Sequence, residues 1–331
     1  MRLYSLLMRR ALLLPWRVNV NTKTHRARSA SKGNNERISL TRRALLTFYP
    51  PGAEKSKKSR HIMKPKILTD SNTISLKHTL ECGQCFRWQK DDSAYVGVVR
   101  GKVAKVSEAE GKVFIETNAP LSFWTDYFDI QRDYDRILQS FGSLPFTVQA
   151  IEHGRGLRIL RQDPWETLCS YIISSCNNIP RISAIIEKLC KAGNEKIEFD
   201  GKTFYAFPSL ETMVKFDTKT WASLGAGYRD EWLRNTAQAV ADGKVNFNEI
   251  HRLSTKDARK QLMTLKGVGK KVADCVLLFG FGKTDAFPVD TWMKKAADYY
   301  GGELRATDFG EYAGVAQEYI FYYVRKLNGK K

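Results

Sequence analysis

The chain has 331 residues, 43% of them hydrophobic, and a formal net charge of +19. Its length allows one large or two ordinary domains with a sizeable core. No run of 18 apolar residues is present, so no membrane-spanning helix is expected. The charge is uneven: residues 1–62 hold 15 Lys/Arg against only Glu36 and Glu54 and carry +13, leaving +6 for residues 63–331. A basic balance points to an anionic partner, nucleic acid first, although a solvated basic tail also accounts for much of the excess.

The start, MRLYSLLMRRALLLPWRV, is Arg-rich with a short apolar run. It reads as an organellar targeting peptide, or as a disordered or spurious extension ahead of Met63; the composition favours the second reading. After Met63 the texture becomes strand-like. FRWQKDD, AYVGVVRG, KVAKVSE and KVFIET are short, β-branched or aromatic, and separated by turn residues, which predicts an antiparallel sheet to about Thr117. From Leu121 helical spacing takes over. FWTDYFDIQRDYDRILQSF, PWETLCSYIISSC, IPRISAIIEKLCKAG, SLETMVKF, RDEWLRNTAQAVADG and STKDARKQLMTL all carry apolar residues at three- and four-residue steps. Ser254 with Asp257 reads as a helix start, and Gly193 and Gly243 as helix ends.

Six cysteines are present: Cys82, Cys85, Cys169, Cys176, Cys190 and Cys275. Cys82 and Cys85 form one C-x-x-C pair without a second at zinc-ribbon spacing, so reduced, packed thiols are expected rather than a metal centre.

The stretch LKGVGKKVADCVLLFGF, Leu265–Phe281, is the most informative. A helix over Thr255–Leu265 is followed by a turn at Lys266–Lys270 and a second helix from about Lys271. Gly267 and Gly269 allow backbone conformations closed to other residues, and a helix N-terminus offers free amides to a phosphate. Gly267, Val268, Gly269 and Lys270 therefore read as a sequence-independent clamp for a DNA backbone, or as an ordinary helical hairpin. The second helix is apolar nearly all round and expected to be buried. Burial and the positive helix end both disfavour a charged amine at Lys271, which suits a nucleophile; a lysine that snorkels its ammonium to water fits equally well. Cys275, four residues on, shares the face of Lys271. In the later AFPVDTWMKKAADYY, Asp290 reads both as a helix N-cap and as a carboxylate able to steady charge near Lys271.

LKGVGKKVADC followed by PVD resembles the helix–hairpin–helix superfamily of DNA glycosylases, and more narrowly the bifunctional 8-oxoguanine DNA glycosylase/lyases. The resemblance runs from about Leu76 to Arg325. GQCFRW (Gly83–Trp88), LRQDPWE (Leu160–Glu166), SSCNNIPR (Ser174–Arg181), LGAGYR (Leu224–Arg229) and YAGVAQEYIF (Tyr312–Phe321) also carry it. It implies Lys271 as the nucleophile that attacks the deoxyribose C1′ and forms a Schiff base, with Asp290 as the supporting carboxylate. It implies Gly83 as the carbonyl that reads the N7 proton of 8-oxoguanine, and Cys275 and Phe321 as the pair that sandwiches the flipped base. Gln317 would read its Watson–Crick edge. Arg181 and Arg229 would hold the estranged cytosine, and Tyr228 would wedge beside the vacated stack. Two departures stand out. Cys176 occupies the place of a gap-filling asparagine in the eukaryotic type, with Asn177 and Asn178 beside it, and Trp292 replaces a histidine after PVD.

The expectation is an α+β protein. A basic extension (1–62) precedes an antiparallel sheet domain with flanking helices (63–160) and an all-helical glycosylase domain (161–331) containing the helix–hairpin–helix (255–280). The function implied is base-excision repair: excision of 8-oxoguanine opposite cytosine from double-stranded DNA, with β-elimination of the abasic site. No metal or cofactor is implied. A monomer is expected, located in cytoplasm and nucleoid, or in the nucleus or an organelle of a eukaryote. The alternatives are a glycosylase for another lesion, whose C-terminal four-cysteine motif is missing here, and a non-catalytic DNA-binding module that uses only the hairpin.

Overall fold

Short strands joined by two-residue turns build the first layer. The structure, a computed structural model, describes residues 63–142 and 144–329; the extension read over residues 1–62 lies outside the described residues. Strand β1 (Lys66–Asp70) and helix α1 (Leu76–Glu81) lead into β2 (Trp88–Asp91), β3 (Ala94–Val99), β4 (Lys102–Ala109) and β5 (Lys112–Thr117). The sheet is antiparallel throughout, in the order β1-β5-β4-β3-β2. Arg100-Gly101 and Glu110-Gly111 both take positive φ at each position, the turn geometry that matches strand twist.

Helices follow in nearly unbroken succession. α2 (Leu121–Tyr127) and α3 (Tyr134–Gln139) divide the stretch whose spacing reads as one helix. Asp129 takes φ +51 at the break, and its buried carboxylate pairs with Arg132 and Arg161. Asp133 then caps α3, accepting from the Arg136 amide at 3.0 Å. Next come α4 (Pro145–His153), α5 (Pro164–Ser174) and α6 (Ile179–Gly193). The left-handed residue that ends α6 is Asn194, φ +56, not Gly193. Gly193 is needed for a different reason: a Cβ there would lie 2.7 Å from Pro208 Cβ.

A hairpin of β6 (Lys196–Phe199) and β7 (Lys202–Tyr205) interrupts the helical part, turning at Asp200-Gly201. Phe199 packs with Val98 and Val103. This cover explains why β3 is buried on both faces rather than alternating. The chain continues through α7 (Leu210–Val214), α8 (Thr218–Ser223), α9 (Arg229–Ala241) and α10 (Phe247–Arg252). It closes with α11 (Thr255–Leu262), α12 (Lys270–Phe279), α13 (Thr291–Tyr300) and α14 (Ala313–Leu327).

Two cores result. Val106, Val113, Ile115, Trp124 and Phe128 pack one face of the five-stranded sheet. A larger core centres on α5, α6, α12 and α14. The extended segment Leu157–Leu160 feeds both, with Leu160 in the first and Leu157 and Ile159 in the second. Among the described residues, no helix is long and apolar enough to cross a membrane.

Candidate active site

α12 is buried from Val272 to Phe279, which fixes its first turn at the edge of the core. Gly269 is its N-cap, in extended backbone. Gly267 has φ +85, and a Cβ there would fall 2.3 Å from Trp232 Cε3, so only glycine lets the turn lie against that ring. Val268 is buried, and its amide donates to the Leu265 carbonyl at 3.1 Å. Of the four residues read as a phosphate clamp, Gly269 and Lys270 are the exposed ones. α11 is tied to α12 by Arg259, whose Nε donates to the fully buried Asp274 at 2.5 Å.

Lys271 sits on the second residue of α12, half-buried, with Nζ 5.1 Å from the centre of the Tyr171 ring. One cavity brings it together with Gly83, Cys275, Asp290, Gln317 and Phe321. These residues come from the loop after α1, from α12, from the N-cap of α13 and from α14. Asp290 forms the expected N-cap and also lines the cavity. Its Oδ1 accepts from the Trp292 and Met293 amides at 2.9 and 3.0 Å as an N-cap, while the side chain lines the cavity.

The Gly83 loop is held from beneath. Gln84 is buried; its Nε2 donates to the Thr79 and Arg158 carbonyls at 2.9 and 2.8 Å, and its Oε1 accepts from the Leu160 amide at 2.9 Å. The Gln84 carbonyl accepts from Gln162 Nε2 at 2.8 Å and from the Tyr171 hydroxyl at 3.3 Å. Gly83 itself has φ +108.

On α14, Gln317 is 3% exposed and its Oε1 has no hydrogen-bond partner. A buried orphan acceptor is costly, and a site that offers one is suited to an arriving N–H donor. Burial pushes the Cys275 thiol up to about 12 against the opposing pull of the Lys271 ammonium, so the sulfur stays neutral and polarizable. The cavity measures about 50 Å³, well below the ~150 Å³ that admits benzene.

Four lining residues were not anticipated: Tyr171, Phe279, Pro288 and Glu318. Glu318 is 3% exposed, its Oε1 has no hydrogen-bond partner, and burial raises its pKa to about 7 against the Arg325 and Lys271 charges. A glutamate inside the apolar run GVAQEYIF is the signal that could have found it, since buried acids are rare.

The remaining predicted residues form a second group. Asn178 caps α6, accepting from the Arg181 amide at 3.1 Å. The Asn177 amide nitrogen donates to the Ile173 carbonyl at 3.1 Å, and its Oδ1 accepts from the Asn178 amide at 3.0 Å. Cys176 is exposed and left-handed, φ +50. Arg181 is exposed, with Nη2 3.5 Å from the Gly225 carbonyl. Tyr228 is 53% exposed and lies over the Arg229 guanidinium at 4.4 Å. Arg229 is buried instead of presented. Its Nε donates to Ser175 at 2.9 Å, Nη1 to Ala226 at 3.2 Å and Nη2 to Cys176 at 3.1 Å, all backbone carbonyls. It locks the 175–176 loop to the start of α9 and keeps few donors for anything else. Ile179, at the head of α6, approaches the Gly83 Cβ position to 3.9 Å, so this second group adjoins the cavity.

Residues 66–168 match the family described as 8-oxoguanine DNA glycosylase, N-terminal domain. An N-glycosylase/DNA lyase from Arabidopsis thaliana is 29% identical over 75% of this chain and 76% of its own length. A probable N-glycosylase/DNA lyase from Methanothermobacter thermautotrophicus is 32% identical over 60% of this chain and 72% of its own. The Clostridium acetobutylicum 8-oxoguanine glycosylase/lyase, solved with duplex DNA containing cytosine opposite 8-oxoguanine, superposes with a TM-score of 0.74. It shares 36% identity and covers 78% of this chain and 93% of that one.

Proposed function

This chain belongs to the 8-oxoguanine DNA glycosylase family, and from that premise we propose that it flips 8-oxoguanine out of duplex DNA and excises it by attack of Lys271. The observation that carries the reading is the convergence of Lys271, Asp290, Gly83, Cys275, Gln317 and Phe321 on one cavity. Unstacking a base costs a few kcal/mol, and the slot returns this through a carbonyl, an amide and two faces suited to a flat ring. Gly83 offers its carbonyl to the N7–H that distinguishes 8-oxoguanine from guanine. Gln317 offers its buried, unpaired Oε1 to the N–H donors of the Watson–Crick edge, and Cys275 and Phe321 flank the ring.

Lys271, once its ammonium has given up a proton, forms the new bond to C1′ while the bond from C1′ to the base breaks, the electron pair leaving with the base, which takes up a proton. The Asp290 carboxylate stabilises the positive charge that develops at the sugar. Loss of the proton on the attached nitrogen and opening of the ring give the imine. Loss of a C2′ proton then expels the 3′ phosphate and nicks the strand.

Arg181, Asn177, Asn178 and the exposed Tyr228 face the opposite strand and the gap. Arg229 acts chiefly by fixing the loop that carries Cys176, with a lesser part in holding cytosine. Gly269 and Lys270 meet a phosphate through the α12 N-terminus. Residues 63–160 and 161–331 serve as the sheet and glycosylase parts of one monomer, working wherever the cell keeps its DNA. Single-turnover release of 8-oxoguanine, placed opposite each of the four bases, tests the reading. Fastest release opposite cytosine is expected; no release opposite any base refutes it.

A further inference from the structure

Arg325 lies one helical turn beyond Phe321 on α14, outside the residues that line the cavity, yet it touches two of the cavity's walls. Its Nη1 donates to the Cys82 carbonyl at 2.5 Å, the peptide that enters Gly83. The same Nη1 would lie 3.2 Å from a Cβ at Gly83 and so occupies the side on which any other residue would project. The guanidinium stands 5.4 Å from the centre of the Phe321 ring, a cation–π distance. Gly83 and Phe321 belong to segments some 240 residues apart, and Arg325 bonds the carbonyl just before the first while its guanidinium stands over the ring of the second.

We propose that Arg325 is a positioning residue for the base slot, clamping the Gly83 loop to Phe321 so that the Gly83 carbonyl and the aromatic wall keep a fixed separation. This rests on the functional reading above. The physical reason is the fork of the guanidinium: it bonds a carbonyl in its plane and packs its face or edge on a ring, which lysine cannot do at once. With the entering peptide pinned, the Gly83 backbone, at φ +108, is held in one orientation beside the slot. A competing explanation is plain stabilisation, since Cys82 caps α1 and a cation there satisfies a helix-end carbonyl. The two explanations differ in which chemical step they affect. Excision needs a base held in the slot. Strand nicking at a preformed abasic site does not, because no base is present.

The experiment compares wild type with Arg325→Met on two duplexes, one with 8-oxoguanine and one with a preformed abasic site, each opposite cytosine. The clamp predicts that 8-oxoguanine release falls roughly 10- to 100-fold, the cost of a misplacement of about 1 Å, while nicking of the abasic duplex stays within about threefold. Arg325→Lys, which keeps the charge but not the fork, falls in between for release. If circular dichroism shows that Arg325→Met does not fold, the same split is read on Arg325→Lys. Equal loss of both reactions, or loss of neither, overturns the inference. A wild type that nicks abasic DNA but releases no 8-oxoguanine defeats the functional reading first, and this inference with it.

Discussion

Glu318 provides a quantitative test of how dry the cavity is. Its carboxyl is buried and its pKa is raised from 4.5 to about 7, chiefly by burial. A shift of that size corresponds to about 3 kcal/mol. The sign follows from proton linkage. Between pH 4.5 and 7 the folded chain keeps the Glu318 proton and the unfolded chain releases it, so this group's contribution to stability falls as pH rises through that window and levels off above it. Glu318→Gln keeps the shape and cannot ionise. Urea unfolding of both proteins at pH 5 and pH 8 should show wild type losing about 2 kcal/mol more than the variant over that interval, every other titrating group being shared. A difference that stays the same at both pH values would mean that water reaches the carboxylate, and the description of a desolvated cavity would be wrong.

Two further outcomes follow from the hairpin. Arg259→Met leaves the Asp274 carboxylate buried without its partner and should cost about 3–5 kcal/mol in urea unfolding; Arg259→Met with Asp274→Leu should recover much of that, and no recovery would show that the pair is not the cause. Gly267→Ala adds a Cβ 2.3 Å from the Trp232 ring at a positive φ, so it should destabilise the chain by at least ~1 kcal/mol and weaken binding to undamaged duplex in a salt titration. Unchanged stability would remove the close approach of turn and ring from the account.

The elements that build the candidate site were legible in the sequence wherever a local motif specified them. The glycine turn, the lysine at the start of an apolar helix and the Asp-before-helix pattern are each local, and α12 and the cap at Asp290 formed where they were expected. What escaped depends on the surroundings a residue finds after folding. Arg229 is also tied to three loop carbonyls, a set of partners that its place in the sequence does not reveal. Glu318 reads as a polar position on an amphipathic helix, yet α14 is enclosed on all sides from Ala313 to Ile320. The β6–β7 hairpin was missed despite Asp200-Gly201 between apolar residues, a strong turn signal, because the flanking helical periodicity dominated the segment. The break between α2 and α3 depends on the ion pairs of Asp129 with Arg132 and, from well along the chain, Arg161; spacing alone gives no sign of them.

The central claim is that Lys271 becomes bonded to the sugar during turnover. Borohydride added during reaction with duplex carrying 8-oxoguanine opposite cytosine should trap a protein–DNA adduct whose mass and peptide map place the link on Lys271, and Lys271→Ala should trap none. An adduct formed equally well by Lys271→Ala, or base release by wild type with no trapped species, would contradict it.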